Sequence, residues 1–206
     1  MNKVTSISDF IYVIDNVLDE KYCSNLIDKF ESDLEHQYAG LIASGLDKSV
    51  KDTTDLRISN FPHWKDEDVI VSKCVKETLC KYINYIDNLI GQDEKFSILD
   101  YCDSGYQIQR YNPGGGYTWH HDFMSNPDFG SRFFTFIFYL NDVEVDGYTE
   151  FLDGTRVRPK AGRVVYFPST WNYFHRGYRP KNSVKYILTG WIYTKCEEPV
   201  FNFMPQ

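Results

Sequence analysis

The sequence predicts a mainly β protein with flanking α-helices, in which a sandwich, jelly roll or barrel has helices in front of it. Three observations support this fold class. The second half of the chain consists of short β-rich runs divided by Gly, Pro, Asn and Asp, the first half contains two segments of helical periodicity, and the 16 Tyr and 15 Phe favour β-structure. The 206 residues fit one domain with a substantial core. We expect residues 1–95 to form an N-terminal support region and residues 96–196 to form the β core.

The N-terminal region is predicted to begin with a strand and a helix. Phe10 to Val17 is a short apolar run, and Asp19 after it is a residue type that caps helices. The apolar residues that follow at helical spacing are Cys23, Leu26, Ile27, Phe30 and Leu34. A second stripe ends at Gly91, a typical C-terminal glycine, and consists of Val69, Ser72, Val75, Leu79, Ile83, Ile86 and Ile90. We therefore expect two amphipathic helices.

The rest of the chain is predicted to contain strands and loops. Gln37 to Trp64 is mixed and polar without strong periodicity, and we interpret it as strands and loops. After Gly91 we expect strands at Phe96–Leu99, Tyr106–Tyr111, Tyr117–Phe123, Phe133–Leu140, Thr149–Leu152, Arg163–Pro168 and Val184–Thr194. Between Phe133 and Leu140, Thr135 and Tyr139 share one face and large apolar residues form the other. The apolar face should meet the helices, which leaves the mixed face for a pocket.

Composition and charge argue against several classes of function. The formal net charge of −7 is unfavourable for extended contact with nucleic-acid phosphates, which requires clustered Lys and Arg. No apolar run reaches the roughly 18 residues of a membrane span, and Met1 to Phe10 has no secretory signal pattern. The five cysteines are scattered without a Cys-x-x-Cys pair, which predicts reduced thiols. We expect a cytoplasmic protein that binds neither nucleic acid nor membrane.

The segment from Tyr117 to Phe123 contains a candidate metal-binding pair. Side chains alternate faces along a strand, so His120 and Asp122 point the same way while His121 points to the other side. A second histidine would complete a two-His, one-carboxylate face, which leaves positions open on an octahedral iron. An H-x-D pair alone is a weak signal, because a chain with five histidines contains one by chance about a quarter of the time.

His175 is the candidate for the third ligand. It lies between two β-rich runs, either at the start of a strand or in the loop beside it. Lys185 follows, on a strand whose residues of the same face, Ile187, Thr189 and Trp191, are apolar or weakly polar. An inward lysine is costly unless an anion meets it. A carboxylate of a small dicarboxylic acid would be that anion.

The other three histidines are expected to have structural roles. His36 and His63 lie in regions without a partner motif, which is typical of surface or packing residues. Only Phe123 lies two positions after His121, so no carboxylate shares its face of the strand.

Five motifs in a fixed order resemble the prolyl 4-hydroxylase branch of the iron(II)- and 2-oxoglutarate-dependent oxygenases. They are Arg110-Tyr111-Asn112-Pro113-Gly114 before His120-x-Asp122, then Arg132-x-x-Thr135-x-x-x-Tyr139-Leu140-Asn141, then Gly147-x-Thr149-x-Phe151, and finally His175 with Lys185 and Trp191-Ile192. The resemblance covers roughly Tyr106 to Thr194. One departure is Asp146-Gly147, because family members often have two glycines there.

The resemblance implies a single oxygenase domain, built as a double-stranded β-helix (jelly roll) with the N-terminal helices packed on the major sheet. The implied iron(II) ligands are His120, Asp122 and His175. The implied residues for the co-substrate 2-oxoglutarate are Lys185 at its distal carboxylate, Tyr139 assisting, Tyr111 near the metal-chelating end, and Thr135 on the pocket face. Oxygen would be the oxidant, with ascorbate as an optional accessory.

The implied reaction is hydroxylation of an unactivated C–H bond, with release of succinate and carbon dioxide. A peptidyl proline is the first target that the resemblance suggests, and a free amino acid or another small molecule is the alternative. Gln37 to Trp64 occupies the place where relatives carry substrate-covering loops, and Arg57 and Trp191 are candidates to line that substrate entrance. A halogenase would need an open position instead of Asp122. A non-catalytic jelly-roll binding module and a zinc hydrolase are further alternatives, and the hydrolase would leave Lys185 without a function.

Overall fold

The computed structural model describes residues 4–91, 96, 100–126 and 130–194. Its helices are α1 (Glu20–Ser32) and α2 (Lys65–Ile90). The strands of the N-terminal region are β1 (Val4–Ser8), β2 (Ile11–Ile14), β3 (Tyr38–Ala39) and β4 (Thr54–Arg57). The later strands are β5 (Tyr101–Asp103), β6 (Gln107–Tyr111), β7 (Tyr117–His120), β8 (Ser125–Asn126), β9 (Gly130–Tyr139), β10 (Thr149–Phe151), β11 (Arg156–Val157), β12 (Arg163–Pro168), β13 (His175–Gly177) and β14 (Lys185–Thr194).

These strands form two antiparallel sheets. The major sheet has the order β1-β2-β12-β9-β14-β6-β4-β3, with β5 paired to β14 and β8 paired to β9. The minor sheet has the order β11-β10-β13-β7. The N-terminal strands β2 and β4 pair with β12 and β6, so the N-terminal region extends the same sheet that the later strands form.

Two apolar layers flank the major sheet. The inner layer lies between the sheets and joins Ile137, Val165 and Ile187 of the major sheet to Phe151 and Val157 of the minor sheet. The outer layer joins the opposite face of the major sheet to α1 and α2. Its sheet side includes the apolar face that the sequence predicted, Phe134, Phe136, Phe138 and Leu140. The prediction that this face meets the helices is therefore confirmed.

Helix α1 begins where the sequence predicted and ends slightly earlier. Asp19 caps it, because its carboxylate accepts hydrogen bonds from the backbone N–H groups of Lys21 and Tyr22. Leu34 lies beyond the last helical residue and is 69% exposed, so it does not extend the apolar stripe.

Helix α2 ends at Ile90, directly before Gly91, as predicted. Its buried stripe differs at both ends, because Val69 and Ile90 are exposed and Val71 is fully buried. Of the two helices that the structure describes, neither is both long enough and apolar enough to cross a membrane.

Three predicted segments differ in their bounds or cannot be compared. The strand predicted from Tyr117 to Phe123 ends at His120, because the partner strand β13 begins opposite that residue. Gln37–Trp64 contains the predicted strands and loops, of which β4 is a paired member of the major sheet, and also two short 3-10 helices, Ile58–Asn60 and Pro62–Trp64. In the strand predicted for Phe96–Leu99, residues 97–99 lie outside the described residues.

Candidate metal and co-substrate site

The register between β7 and β13 brings two histidines together. His175, the first residue of β13, pairs with His120, the last residue of β7. The register then shifts, because Gly177 pairs with Tyr117, and β7 thus contains one extra residue relative to β13. The rings of Tyr117 and His120 stack at a centroid distance of 3.5 Å. His121 is exposed and is not part of this group.

A hydrogen bond from the major sheet holds Asp122, which follows β7. The Thr135 hydroxyl donates to Oδ2 of Asp122 at 2.8 Å, and the Ser169 hydroxyl oxygen lies 2.8 Å from the Thr135 oxygen. Because the one hydroxyl proton of Thr135 goes to Asp122, Ser169 donates to Thr135. Thr135 therefore contacts the aspartate directly; it also lines the cavity, and its predicted co-substrate role stays a prediction.

Both imidazoles direct Nε2 toward this carboxylate. Nε2 of His120 lies 3.8 Å from Oδ1 of Asp122, and Nε2 of His175 lies 3.6 Å from Oδ2. Nδ1 of His120 lies 2.7 Å from the backbone carbonyl oxygen of Thr118, and Nδ1 of His175 lies 3.0 Å from that of Tyr173. A proton on each Nδ1 satisfies these carbonyls and leaves a lone pair on each Nε2. We call His120, Asp122 and His175 the cavity triad.

The cavity triad fits a first-row divalent ion. An ion about 2.1 Å from two ligand atoms requires those atoms to lie about 3 to 4 Å apart, which matches the separations of 3.6 and 3.8 Å. Burial and the neighbouring His175 lower the pKa of His120 to about 3, so this imidazole is neutral at neutral pH. Burial would raise the pKa of Asp122, but both histidines and Thr135 outweigh burial and lower it. Two imidazoles and one carboxylate are the donors of two-His, one-carboxylate iron sites.

Lys185 brings a cation into the same cavity. It is the first residue of β14, pairs with Tyr111 of β6, and is 1% exposed. Its Nζ lies 3.9 Å from the centre of the Tyr111 ring, and no carboxylate of the described chain pairs with it. Burial lowers the pKa of Lys185 to about 7. An anion in the cavity would stabilise the charged ammonium, because a buried unpaired charge is unfavourable.

Tyr139 is not among the described residues that line the cavity, and its contact with the distal carboxylate, which the resemblance implied, stays a prediction. Its hydroxyl is fully buried and donates to Oγ1 of Thr149 at 2.7 Å. Thr149 lines the cavity together with Lys185. Because Oγ1 of Thr149 accepts from Tyr139, its own proton is free to be donated into the cavity. The sequence analysis did not select Thr149, although it stands in the Gly147-x-Thr149 motif.

Gln109 and Tyr111, which lie on the same face of β6, complete this end of the cavity. Tyr111 lines it, and its hydroxyl donates to Oε1 of Gln109 at 2.8 Å. Strand alternation from Tyr111 was the signal that could have identified Gln109. A Cβ atom on Gly177 would lie 3.2 Å from the Tyr111 ring and 3.6 Å from Nζ of Lys185, so a side chain there would crowd the cavity.

The two candidate substrate residues lie in different places. Trp191 lines the cavity, and the guanidinium of Arg132 lies 3.6 Å from the centre of its ring. Its indole N–H is buried without a hydrogen-bond partner in the described chain. Arg57 instead donates to the backbone carbonyl of Ser104 and is not among the described residues that line the cavity. Strand β4 joins the sheet beyond β6, where Arg57 pairs with Gln107, and the substrate contact expected of Arg57 stays a prediction.

The cavity is narrow. Its volume is about 40 Å³, which is room for a few water molecules rather than for a dicarboxylate.

A second group of the same composition lies at the end of α1, and we call Asp33, His36 and His63 the helix-end triad. Oδ1 of Asp33 accepts from Nδ1 of His36 at 2.6 Å, and Oδ2 accepts from Nε2 of His63 at 2.8 Å. Oδ2 also accepts from the indole N–H of Trp64 at 2.7 Å. These contacts agree with the predicted packing role of both histidines, although the sequence did not indicate that they meet.

The turn before β10 contains the departure from the family pattern. Asp146 has a φ of 63° and Gly147 a φ of 69°. Both values are in the left-handed region, which aspartate tolerates better than most residues. Asp146 therefore adopts the conformation that a glycine would provide.

Residues 106–193 match the family model described as the 2OG-Fe(II) oxygenase superfamily. This segment belongs to that superfamily. The match contains the cavity triad, Lys185 and every other described residue that lines the cavity. The family that the motifs indicated is thereby confirmed for the oxygenase segment.

Proteins similar to the chain include several prolyl hydroxylases. The chain is 35% identical over 101 residues to prolyl 4-hydroxylase subunit alpha-2 of Gallus gallus, an alignment that covers 43% of this chain and 18% of that protein. The chain thus matches less than a fifth of that relative's length. A viral collagen prolyl hydroxylase from Paramecium Bursaria Chlorella virus-1, solved with 2OG, is 20% identical with a TM-score of 0.63, over 91% of this chain and 97% of that one.

A prolyl hydroxylase from Trichoplax adhaerens, solved with a peptide fragment of the hypoxia inducible factor oxygen degradation domain, is also similar to the chain in structure. It is 19% identical with a TM-score of 0.66, over 90% of this chain and 84% of that one. At these identities the similarity concerns the fold. It confirms the predicted jelly roll with flanking helices.

Proposed function

We propose that the chain is an iron(II)- and 2-oxoglutarate-dependent dioxygenase that hydroxylates an unactivated C–H bond, with a peptidyl proline as the favoured target. One observation carries the proposal. Three metal-ligand atoms and a buried lysine without a carboxylate partner in the described chain share one cavity. The superfamily match over the same residues supports both cofactors.

In this proposal the cavity triad holds iron(II) and leaves positions open for the co-substrate and oxygen. The bound iron supplies the oxidising chemistry, while 2-oxoglutarate is converted to succinate and carbon dioxide. Thr135 and Ser169 keep the carboxylate of Asp122 in one orientation, so we assign Thr135 as a positioning residue. The ring of Tyr117 covers one face of His120 and keeps water from it.

Lys185 and Thr149 form the proposed pocket for the distal carboxylate of the co-substrate. The ammonium and the free proton of the Thr149 hydroxyl are donors to an anion, and charge-assisted hydrogen bonds of this kind are the stronger ones. Tyr139 positions Thr149 from behind, and Tyr111 forms the wall beside Lys185.

The peptidyl target is supported by the prolyl hydroxylases among the similar proteins and by the position of Trp191. Its buried indole N–H has no partner in the described chain, and the residue lines the same cavity as the cavity triad. An amide carbonyl of a peptide is an acceptor that would satisfy it.

We also propose that the chain acts as a single oxygenase domain in the cytoplasm. Strand pairing of β2 and β4 with the later strands supports the single domain. The described cysteines are all free thiols, which is typical of proteins in a reducing compartment.

The test is oxygen-dependent formation of succinate from 2-oxoglutarate, in the presence of proline-containing peptides or of free amino acids. We expect succinate and a peptide heavier by one oxygen atom, and neither product with Asp122→Ala. Oxidation of a free amino acid alone would replace the peptidyl target by the small-molecule alternative. Binding of metal and 2-oxoglutarate without any succinate would favour the non-catalytic binding module.

A further inference from the structure

Strand β7 contains a bulge that brings Tyr117 and His120 onto the same face. In a regular strand, side chains three positions apart point to opposite faces. Tyr117 and His120 nevertheless both line the narrow cavity, and their rings stack with an interplanar angle of 13°. The extra residue of β7 between them, relative to β13, produces this arrangement. The stack on His120 therefore depends on the contacts that hold the bulge.

Residues 50–55, which we call the strap, begin along the edge of the minor sheet that β7 forms. The backbone N–H of Thr118, within the bulge, donates to the carbonyl oxygen of Val50 at 2.8 Å. The backbone N–H of Asp52 donates to the carbonyl oxygen of Gly116, also at 2.8 Å. The strap then enters β4, which pairs with β6 of the major sheet. It therefore connects the edge of the minor sheet to the major sheet.

One buried ion pair joins the two ends of the strap. Nζ of Lys51, at the edge of β7, donates to Oδ2 of Asp55, in β4, at 2.6 Å. The two residues are 5% and 0% exposed. Asp55 also accepts hydrogen bonds from the Thr53 hydroxyl and from the side-chain amide of Gln107, both at 2.7 Å. A buried carboxylate with three donors is satisfied, whereas loss of Lys51 would leave it without its counter-charge.

The ammonium of Lys51 also contacts Tyr117. Its Nζ lies 5.4 Å from the centre of the Tyr117 ring, within the range of a cation–π interaction. The two residues also form an isolated β-bridge. The strap approaches β7 closely, because a Cβ atom on Gly115 would lie 2.7 Å from the backbone oxygen of Asp52. Tyr117 thus contacts the strap through Lys51 and the cavity triad through His120.

We propose that Lys51 and Asp55 are positioning residues of the metal site. Their ion pair holds the strap, the strap holds the bulge of β7, and the bulge keeps Tyr117 against His120. The imidazole of His120 therefore stays in the orientation that directs Nε2 at the ion. Both positioning residues lie outside residues 106–193, the segment that matches the superfamily model. The inference rests on the proposed function in taking the cavity triad to bind iron(II).

The test is titration of the whole chain with Fe²⁺, in the absence of oxygen and 2-oxoglutarate. Lys51→Met nearly keeps the length of the side chain and removes its charge, and Tyr117→Leu removes the ring. Each variant should weaken Fe²⁺ binding about ten-fold, as is usual for residues that orient a metal ligand. Because Lys51 acts through Tyr117, the double variant should also weaken binding about ten-fold, whereas independent effects would multiply to about a hundred-fold.

Asp15→Asn is the matched control, because it breaks a largely buried ion pair, with Arg163 at 2.6 Å, at another position of the major sheet. A purely structural ion pair affects stability and leaves the Fe²⁺ affinity of the folded chain unchanged, which is the result expected for Asp15→Asn. If Lys51→Met does not fold, Lys51→Met combined with Asp55→Leu removes both charges and should show the same loss of affinity. Unchanged affinity in the folded Lys51 variant, an additive double variant, or an equal loss in Asp15→Asn would overturn the inference. No Fe²⁺ binding by the unmodified chain would contradict the proposed function as well.

Discussion

The cavity triad and the helix-end triad have the same composition and different geometry. In the helix-end triad, the aspartate accepts hydrogen bonds directly from both imidazoles, at 2.6 and 2.8 Å. In the cavity triad, the imidazole nitrogens that face the aspartate stay 3.6 and 3.8 Å away, and the opposite nitrogens lie against backbone carbonyls. Composition alone therefore does not distinguish a metal site from a hydrogen-bonded cluster.

The difference lies in where the imidazole protons go. In the cavity triad, the carbonyls of Thr118 and Tyr173 take the Nδ1 protons, so lone pairs remain on the facing nitrogens. In the helix-end triad the N–H groups point at Asp33 itself, so its oxygens are already satisfied. The first arrangement is ready for an ion, and the second connects the end of α1 to the start of α2.

The largest expected effect comes from removing a ligand of the cavity triad. His120→Ala, Asp122→Ala and His175→Ala should each weaken iron binding by about 100-fold or more and abolish turnover of 2-oxoglutarate. His121→Ala, which removes the adjacent imidazole outside the group, should keep both properties. Iron titration and succinate assays measure the two effects. Equal loss in a folded His121→Ala protein would show that the wrong histidine has been assigned.

The next largest effect concerns Lys185, the buried lysine in the cavity of the cavity triad. Lys185→Ala should raise the required 2-oxoglutarate concentration by about ten- to a thousand-fold, because the ligand carboxylate loses a charge-assisted partner. Lys185→Arg should be intermediate, since guanidinium pairs with carboxylates but needs more room. Iron affinity should barely change in either variant. An unchanged co-substrate requirement in Lys185→Ala would move the anion site to Arg176 or Arg179.

A smaller effect is expected from the hydrogen bond that holds Asp122. Thr135→Val keeps the size of the side chain and removes the donor, so the carboxylate is free to rotate. Metal affinity should fall about ten-fold, with a smaller loss in Ser169→Ala, because Ser169 acts only through Thr135. Isothermal titration with Mn²⁺ or Fe²⁺ gives both affinities. If Thr135→Val binds metal like the unmodified chain, the aspartate is held by other contacts.

The smallest effect concerns stability through the helix-end triad. Burial would raise the pKa of Asp33, but hydrogen bonds from His63, Trp64 and His36 lower it to about 2. This folded-state pKa is below the roughly 3.9 of an unfolded aspartate, so Asp33 stabilises the fold above about pH 4. That stability is lost as the pH falls toward 2.

Asp33→Asn should therefore lower the free energy of unfolding at pH 7 by about 1 to 2 kcal/mol. The loss should shrink as the pH falls below about 3, because Asp33 is then increasingly protonated in the unmodified protein. Urea unfolding of the unmodified protein and of Asp33→Asn, at pH 7 and below about pH 3, measures the difference in the free energy of unfolding. A loss of equal size at both values would show that the charge of Asp33 does not contribute.

The sequence predicted the parts of the site that depend on local spacing. His120 and Asp122 lie two positions apart, and the inward face of Lys185 follows from the alternation of its strand. Asp122 lies within the cavity triad even though β7 ends before it, because Thr135 holds the carboxylate from the opposite sheet. The apolar face of β9 was predicted for the same local reason.

The sequence did not predict contacts that depend on how the sheets pack. The side chains of Tyr139 and Thr149 are both buried and contact each other, but of the two only Thr149 is among the described residues that line the cavity. This difference depends on how the two sheets pack. Arg57 was assigned by its place in a polar segment, but pairing of β4 outside β6 determines where it points. The helix-end triad joins residues about thirty positions apart, and the approach of α1 to α2 has no local sequence signal.

The most direct test of the account is metal stoichiometry in paired variants. The unmodified chain, Asp122→Asn and Asp33→Asn are titrated with Fe²⁺ without oxygen, and the bound ions per folded chain are counted. We predict one ion in the unmodified chain, one in Asp33→Asn and none in Asp122→Asn. Two ions in the unmodified chain, or an ion that Asp33→Asn loses and Asp122→Asn keeps, would contradict the account.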